Sequence, residues 1–163
     1  MKSGAVVESI NLYPLQGIPL IHSGDDLCTV IIDSVHSNKF QWSDGDILVI
    51  AQKIVSKSEG RLVNLKQILP SKRSIELASK IEKDPRLVEL ILSESKKVIR
   101  FKKGLIVVQN HQGFILANAG IDHSNVEQDD EKEQVLLLPK NPDGSAEKFI
   151  KVYLLEQDLT WEL

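Results

Sequence analysis

Two stretches hold side chains whose types and spacing could do chemistry. In "AQKIVSKSEGR", Lys53 and Lys57 stand four residues apart among Gln52, Ser56, Glu59 and Arg61. Ammonium groups are compact point charges, and a pair of them on one side of the chain suits a polyphosphate. The spacing is not that of a Walker loop, because no glycine-rich approach and no Gly-Lys-Ser/Thr is present. In "NAGIDHSNV", Asp122 offers carboxylate oxygen, and Asn118 and Asn125 offer amide groups. Hard oxygen donors of this kind suit magnesium or manganese better than zinc. One carboxylate leaves most of a coordination shell to phosphate and water. Gly120 lets backbone approach a ligand closely. His123 has no evident partner and stays outside the candidate set. Each stretch also has a plain reading, solvated lysines after a strand and an Asx-type turn bonded to its own backbone.

A third stretch, "GIPLIHSGDDL", combines a Gly-x-Pro turn with the approach to a helix. Free backbone N–H groups there could hold an anion or the edge of a base, or the stretch is a turn with an N-cap and no more. Asp25 and Asp26 fit helix-start residues better than metal ligands. Glu94, Ser95, Lys96, Lys97 and Arg100 in "ESKKVIRF" read as structural, at a helix end and a strand edge. No Ser/His/Asp or Cys/His set stands out, and no dedicated general base is evident.

These residues must be positioned by a soluble domain of ordinary composition. The 163 residues are 42% hydrophobic and 26% charged, enough for one domain, residues 1–163, with its own core. A net charge of -3 gives no general attraction to nucleic acid or to an anionic membrane. The single cysteine, Cys28, excludes an internal disulfide and fits a buried thiol on a helix. The opening "MKSGAVVESINLY" lacks the apolar run of a signal peptide and no later segment could span a bilayer, so a cytoplasmic protein is expected.

The elements follow from periodicity. "AVVESINLY" predicts a first strand, "GDDLCTVIIDSV" an amphipathic helix, and the run Ile47 to Ala51, after a turn at Asp44 and Gly45, a strand buried on both faces. "LPSKRSIELASKIEK" and "DPRLVELILSES" predict two helices divided near Asp84 and Pro85. "KKVIRFKKGLIVVQ" predicts paired strands joined around Lys102 to Gly104, and "GFILANAG" a third. "VEQDDEKEQ" is too charged to pack and predicts a solvated loop; "VLLLP" restores apolar structure. "GSAEKFIKVYLLEQ" predicts a final amphipathic helix with Phe149, Ile150, Tyr153 and Leu154 on one side. The class is α+β, a mixed sheet with flanking helices.

Five stretches in order, "GIPLIHSGDDL", "DGDILVIAQKIVSKSEGRLVNL", "DPRLVELILSES", "GFILANAGIDHSNV" and "LLLPKNPDGSA", resemble the N-terminal part of the coenzyme F420-0:L-glutamate ligase family, from about Leu15 to Ala146. The resemblance implies the fold of that family's N-terminal domain and a GTP-dependent amide ligase of F420 biosynthesis. Such an enzyme adds L-glutamate to F420-0, requires magnesium or manganese, often with potassium, and works as a homodimer of interlocked subunits. By the same resemblance, backbone around Ile18, Pro19, Leu20 and Ile21 would hold GTP with Gln52, Lys53, Lys57 and Asn125, and Asp122 would be a metal ligand.

Full members resembling this chain continue past "LLLPKNPDGSA" into a strand whose Asp-Thr pair completes the metal site, and then into a region closing over the nucleotide. The tail "YLLEQDLTWEL" differs from that continuation. The expectation is a truncated chain, weak or inactive as a ligase alone. The alternatives are a nucleotide- and metal-binding module without turnover, or a structural remnant.

Overall fold

The computed structural model describes residues 9–43, 45–122 and 133–160. Its best-buried core forms where two short helices cover a hairpin. Helix α3 (Lys72–Ile81) starts at Ser71, whose hydroxyl caps the Ser74 amide, and ends at Glu82 in the left-handed conformation, φ 54°. Helix α4 (Pro85–Ser93) follows at once, with the Asp84 carboxylate accepting from the Arg86 amide and proline in the first turn, where its missing N–H is no loss. The pair covers strands β2 (Ser95–Lys102) and β3 (Leu105–Asn110), which are antiparallel and joined by a turn at Lys103 and Gly104. Along β3 every second residue, Ile106, Val108 and Asn110, is buried, the period-two signature of a strand with one covered face. Ala78, Ile81, Val88 and Ile91 of the helices meet Ile106 and Val108 there.

Strand β4 (Ile115–Ala117) pairs antiparallel with β3, Val107 opposite Ala117, and leads into a 3-10 turn at Asn118–Gly120. A second antiparallel sheet pairs β1 (Leu62–Asn64) with β5 (Gln134–Leu136). A single bridge between Asp122 and Leu136 ties the chain leaving β4 to this sheet.

The other half of the molecule is built on α1 (Leu27–Ser37), whose Leu27, Ile31 and Val35 form a stripe at helical spacing. That stripe packs with Ile21, with Ile54 and Val55 of α2 (Gln52–Ser58), and with Phe149 of α5 (Pro142–Thr160). Between the two halves, Leu65, Leu90 and Val135 make a smaller cluster. No helix among the described residues is long and apolar enough to cross a membrane.

The α+β class, the α3/α4 division, the β2/β3 hairpin and the buried Cys28 match the sequence reading. Three expectations need correction. Residues 9–13 of the expected first strand carry no strand, and residues 1–8 lie outside the described residues. The run Ile47 to Ala51 is not a buried strand: no ladder includes it, and Ile47 and Val49 face solvent. An unbroken apolar run is buried on both faces only when neighbouring strands and covering layers are present, and none lies beside this one among the described residues. On α5, Phe149 reaches the α1 cluster and Tyr153 stacks on Trp42, but Ile150 and Leu154 are exposed because no described element faces them. The charged loop falls almost wholly on residues 123–132, outside the described residues, as does Asp44.

Candidate functional site

Helix α2 begins at Ala51, which is extended (φ -63°, ψ 128°) and gives no side-chain cap to the first amides. Gln52 and Lys53 are its first residues, and Lys57 lies one turn on, so the two lysines share a face. The helix is anchored beneath them. Ser56 is fully buried and accepts a hydrogen bond from the Gln52 amide nitrogen, 2.8 Å.

The loop at residues 18–24 lies against this helix. Ile18 and Ile21 pack in the same cluster as Ile54 and Val55, while Pro19 and Leu20 are exposed. The Gly24 amide donates to the Ser58 carbonyl, 3.0 Å. Gly60, at φ 68°, must be glycine twice over: its backbone is left-handed, and a Cβ there would lie 2.7 Å from the Ser23 hydroxyl. Asp25 accepts from the His22 amide at 2.7 Å, and Asp26 precedes α1 and accepts from the Thr29 hydroxyl at 2.9 Å. The hydroxyl, with Lys148 nearby, holds the Asp26 carboxyl below the usual range. Both aspartates therefore shape the loop, as the sequence reading expected.

Asp122 arrives from the opposite core. The turn before it is unusual, with Asn118 (φ 52°) and Ala119 (φ 55°) both left-handed and followed by Gly120 at φ 73°. Side chains other than glycine rarely adopt this conformation, and such clusters persist where the surroundings over-determine them. Ala119 is buried against α3 and α4, and a Cβ on Gly120 would meet Leu138 at 2.7 Å. Asp122 then pairs with Leu136 through two backbone bonds of 2.9 Å each. This fixes its side chain toward α2, where its carboxylate lies 3.3 Å from the Lys53 ammonium.

Lys53 and Asp122, 69 positions apart in sequence, thus meet where the two halves of the fold join. The Asn118 side-chain oxygen nearby in sequence is buried and accepts no hydrogen bond. An orphaned acceptor has a cost that a donor or cation would relieve. Among the described residues no three His, Cys, Asp or Glu side chains cluster for a metal. One carboxylate with an amide oxygen suits a hard cation completed by phosphate and water, and is too few donors for a closed protein cage. Asn125 and His123 lie outside the described residues.

Other polar residues near the site prove structural. Arg61 donates to the Leu138 carbonyl (2.9 Å) and to Glu94 (2.7 Å), which removes it from any phosphate-binding role and confirms the structural reading of Glu94. Glu59 accepts from the Lys140 amide and the Ser145 hydroxyl, both at 2.8 Å, and clamps the start of α5 to the end of α2. These links join residues 77 or more positions apart in three of the four cases, and nothing in the local pattern signals them.

The comparisons with known proteins converge on one group. The family model described as F420-0:Gamma-glutamyl ligase matches residues 17–157. The chain belongs to the F420-0:gamma-glutamyl ligase family. Among similar proteins is the Coenzyme F420:L-glutamate ligase of Methanothermobacter thermautotrophicus, 44% identical over 142 residues that cover 87% of this chain and 55% of that protein. The proteins of the same name from Methanocaldococcus jannaschii and Archaeoglobus fulgidus are 45% and 40% identical over 69% and 85% of this chain, and 43% and 52% of their own lengths. The chain therefore spans about half the length of the curated relatives it matches. All of the GTP- and metal-site positions that the sequence reading selected in this family member fall inside the matched region.

Proposed function

We propose that this chain carries the nucleotide- and metal-binding half of a GTP-dependent ligase that adds L-glutamate to coenzyme F420-0. The carrying observation is the convergence of Lys53 and Asp122 at 3.3 Å, beside a loop already packed on the same helix. In this reading, backbone of Ile18, Pro19, Leu20 and Ile21, with Gln52, Lys53, Lys57 and Asn125, holds GTP. Asp122 holds magnesium or manganese, potassium assisting, and the Asn118 oxygen lies in the turn leading to it.

The chemistry asks mainly for positioning and charge neutralisation. Transfer of the γ-phosphoryl group to the F420-0 carboxylate releases GDP and gives an acyl phosphate. The amine of L-glutamate attacks its carbonyl, the amide bond forms, inorganic phosphate leaves and one proton is released. A divalent cation would spread the triphosphate charge and orient its oxygens. Lys53, exchanging Asp122 for phosphate as its partner, and Lys57, on the same face, would stabilise charge on the transferring group. No side-chain nucleophile is required. The protein is cytoplasmic and homodimeric in this reading.

Mass spectrometry of F420-0 incubated with the chain, GTP, L-glutamate and manganese tests it. The expected outcome is glutamyl-F420 with one GDP per amide bond, at a rate below that of the longer relatives. Nucleotide binding without product would instead support a binding module, the alternative favoured by the chain's matching only half the relatives' length. Absence of both binding and product would leave a structural remnant.

A further inference from the structure

The run Ile47–Ala51 leads straight into the first turn of α2, yet it is the most exposed apolar run in the middle of the chain. Ile47 and Val49 are 84% and 83% exposed, whereas Leu48 is 36% exposed and Ile50 packs into the α1 cluster. That alternation has the period of a strand with one face on a core. No hydrogen bond joins the amides or carbonyls of residues 47–50 to a described residue. A similar condition holds at Ile10 and Leu12, 83% and 87% exposed, again outside any ladder. Apolar side chains beside unpaired backbone are what a strand edge presents to another polypeptide.

The comparisons indicate what covers them. Curated relatives at 38–45% identity are about twice as long as the stretch this chain matches, so each carries roughly as many residues again with no counterpart here. We infer that residues 47–50 and 10–12 are docking strands for a separate polypeptide homologous to that unmatched half. It would pair with their backbones and bury Ile47 and Val49. Because Ala51, Gln52 and Lys53 follow directly, the docked strand would abut the Lys53–Asp122 site. This inference does not depend on the proposed reaction, since its readout is assembly.

The test co-expresses the tagged full chain with the part of the Methanothermobacter thermautotrophicus relative outside its 142 matched residues. The expected result is co-purification at 1:1, with amide exchange at residues 47–50 slowed at least 100-fold relative to the chain alone. Ile47→Lys with Val49→Lys is expected to cut co-purification at least tenfold and leave the thermal midpoint of the chain alone unchanged, because both side chains are solvated in it. Three results would overturn the inference. The chain is recovered without the second polypeptide, the amides at 47–50 remain unprotected in the complex, or they are already protected in the chain alone, which would assign the surface to a second copy.

Discussion

At the scale of single residues, the Lys53–Asp122 pair is better explained by binding than by stability. Both side chains are about one-third exposed (33% and 32%), and such pairs contribute only ~0–1 kcal/mol. The two groups are nevertheless held by costly backbone, with left-handed Asn118 and Ala119 on one side and an anchored first helical turn on the other. Lys53→Ala is therefore expected to change the unfolding free energy by less than ~1 kcal/mol while weakening manganese–GTP binding about tenfold, the loss of one charge-assisted contact. Chemical denaturation and calorimetric titration of the same preparation separate the two effects. The residue types at this site were legible in the sequence, since Lys53, Lys57 and Asp122 stand out by chemistry alone. Their proximity was not, because 69 positions and two cores separate Lys53 from Asp122.

Elements follow the sequence closely where local signals and tertiary packing agree. Ser71 and the Asp84–Pro85 pair mark the starts of α3 and α4 because an N-cap oxygen satisfies amides that have no helical partner. The run at residues 47–51 shows the opposite case: its apolar content fits a central strand, but a strand needs neighbours that local sequence cannot supply. The α3/α4 junction also makes a pH prediction. Glu89 accepts from both the amide and the hydroxyl of Ser71, at 2.8 and 2.6 Å, and these bonds hold its carboxyl below the usual range; Arg86 does the same for Asp84. A lowered folded-state pKa means the unfolded chain binds protons first as pH falls, so this stabilisation is complete above about pH 5 and is lost progressively below about pH 4. Ser71→Ala removes the cap and both of the hydroxyl's bonds. It is expected to cost ~1–2 kcal/mol at neutral pH and to reduce the decline between pH 5 and 3, as thermal melts across that range would show.

Over the whole molecule, two cores of unequal burial meet at the candidate site. The α3/α4 core is sealed, while the α1 core is closed at its margin by a run of rings: Tyr13 lies 5.4 Å from Phe40, Phe40 lies 5.2 Å from Trp42, and Trp42 lies 5.6 Å from Tyr153 of α5. Phe40 is the shared member of two contacts, and edge-to-face pairs contribute ~0.5–1.5 kcal/mol each beyond their burial. Phe40→Ala is accordingly expected to destabilise the fold by ~2–3 kcal/mol and to red-shift Trp42 emission as the ring gains water. Composition foretold a single α+β domain, whereas the joining of its halves rests on long-range contacts such as Arg61 to Leu138 and Glu59 to Ser145 that no short motif encodes. The account depends most on the junction being a metal–nucleotide site. Its most direct test is the thermal midpoint of the wild-type chain and of Asp122→Ala, each with and without GTP and manganese. A rise of several degrees in the wild type that is absent in the variant is the predicted result. No rise in the wild type at millimolar ligand, or an equal rise in both proteins, would contradict it.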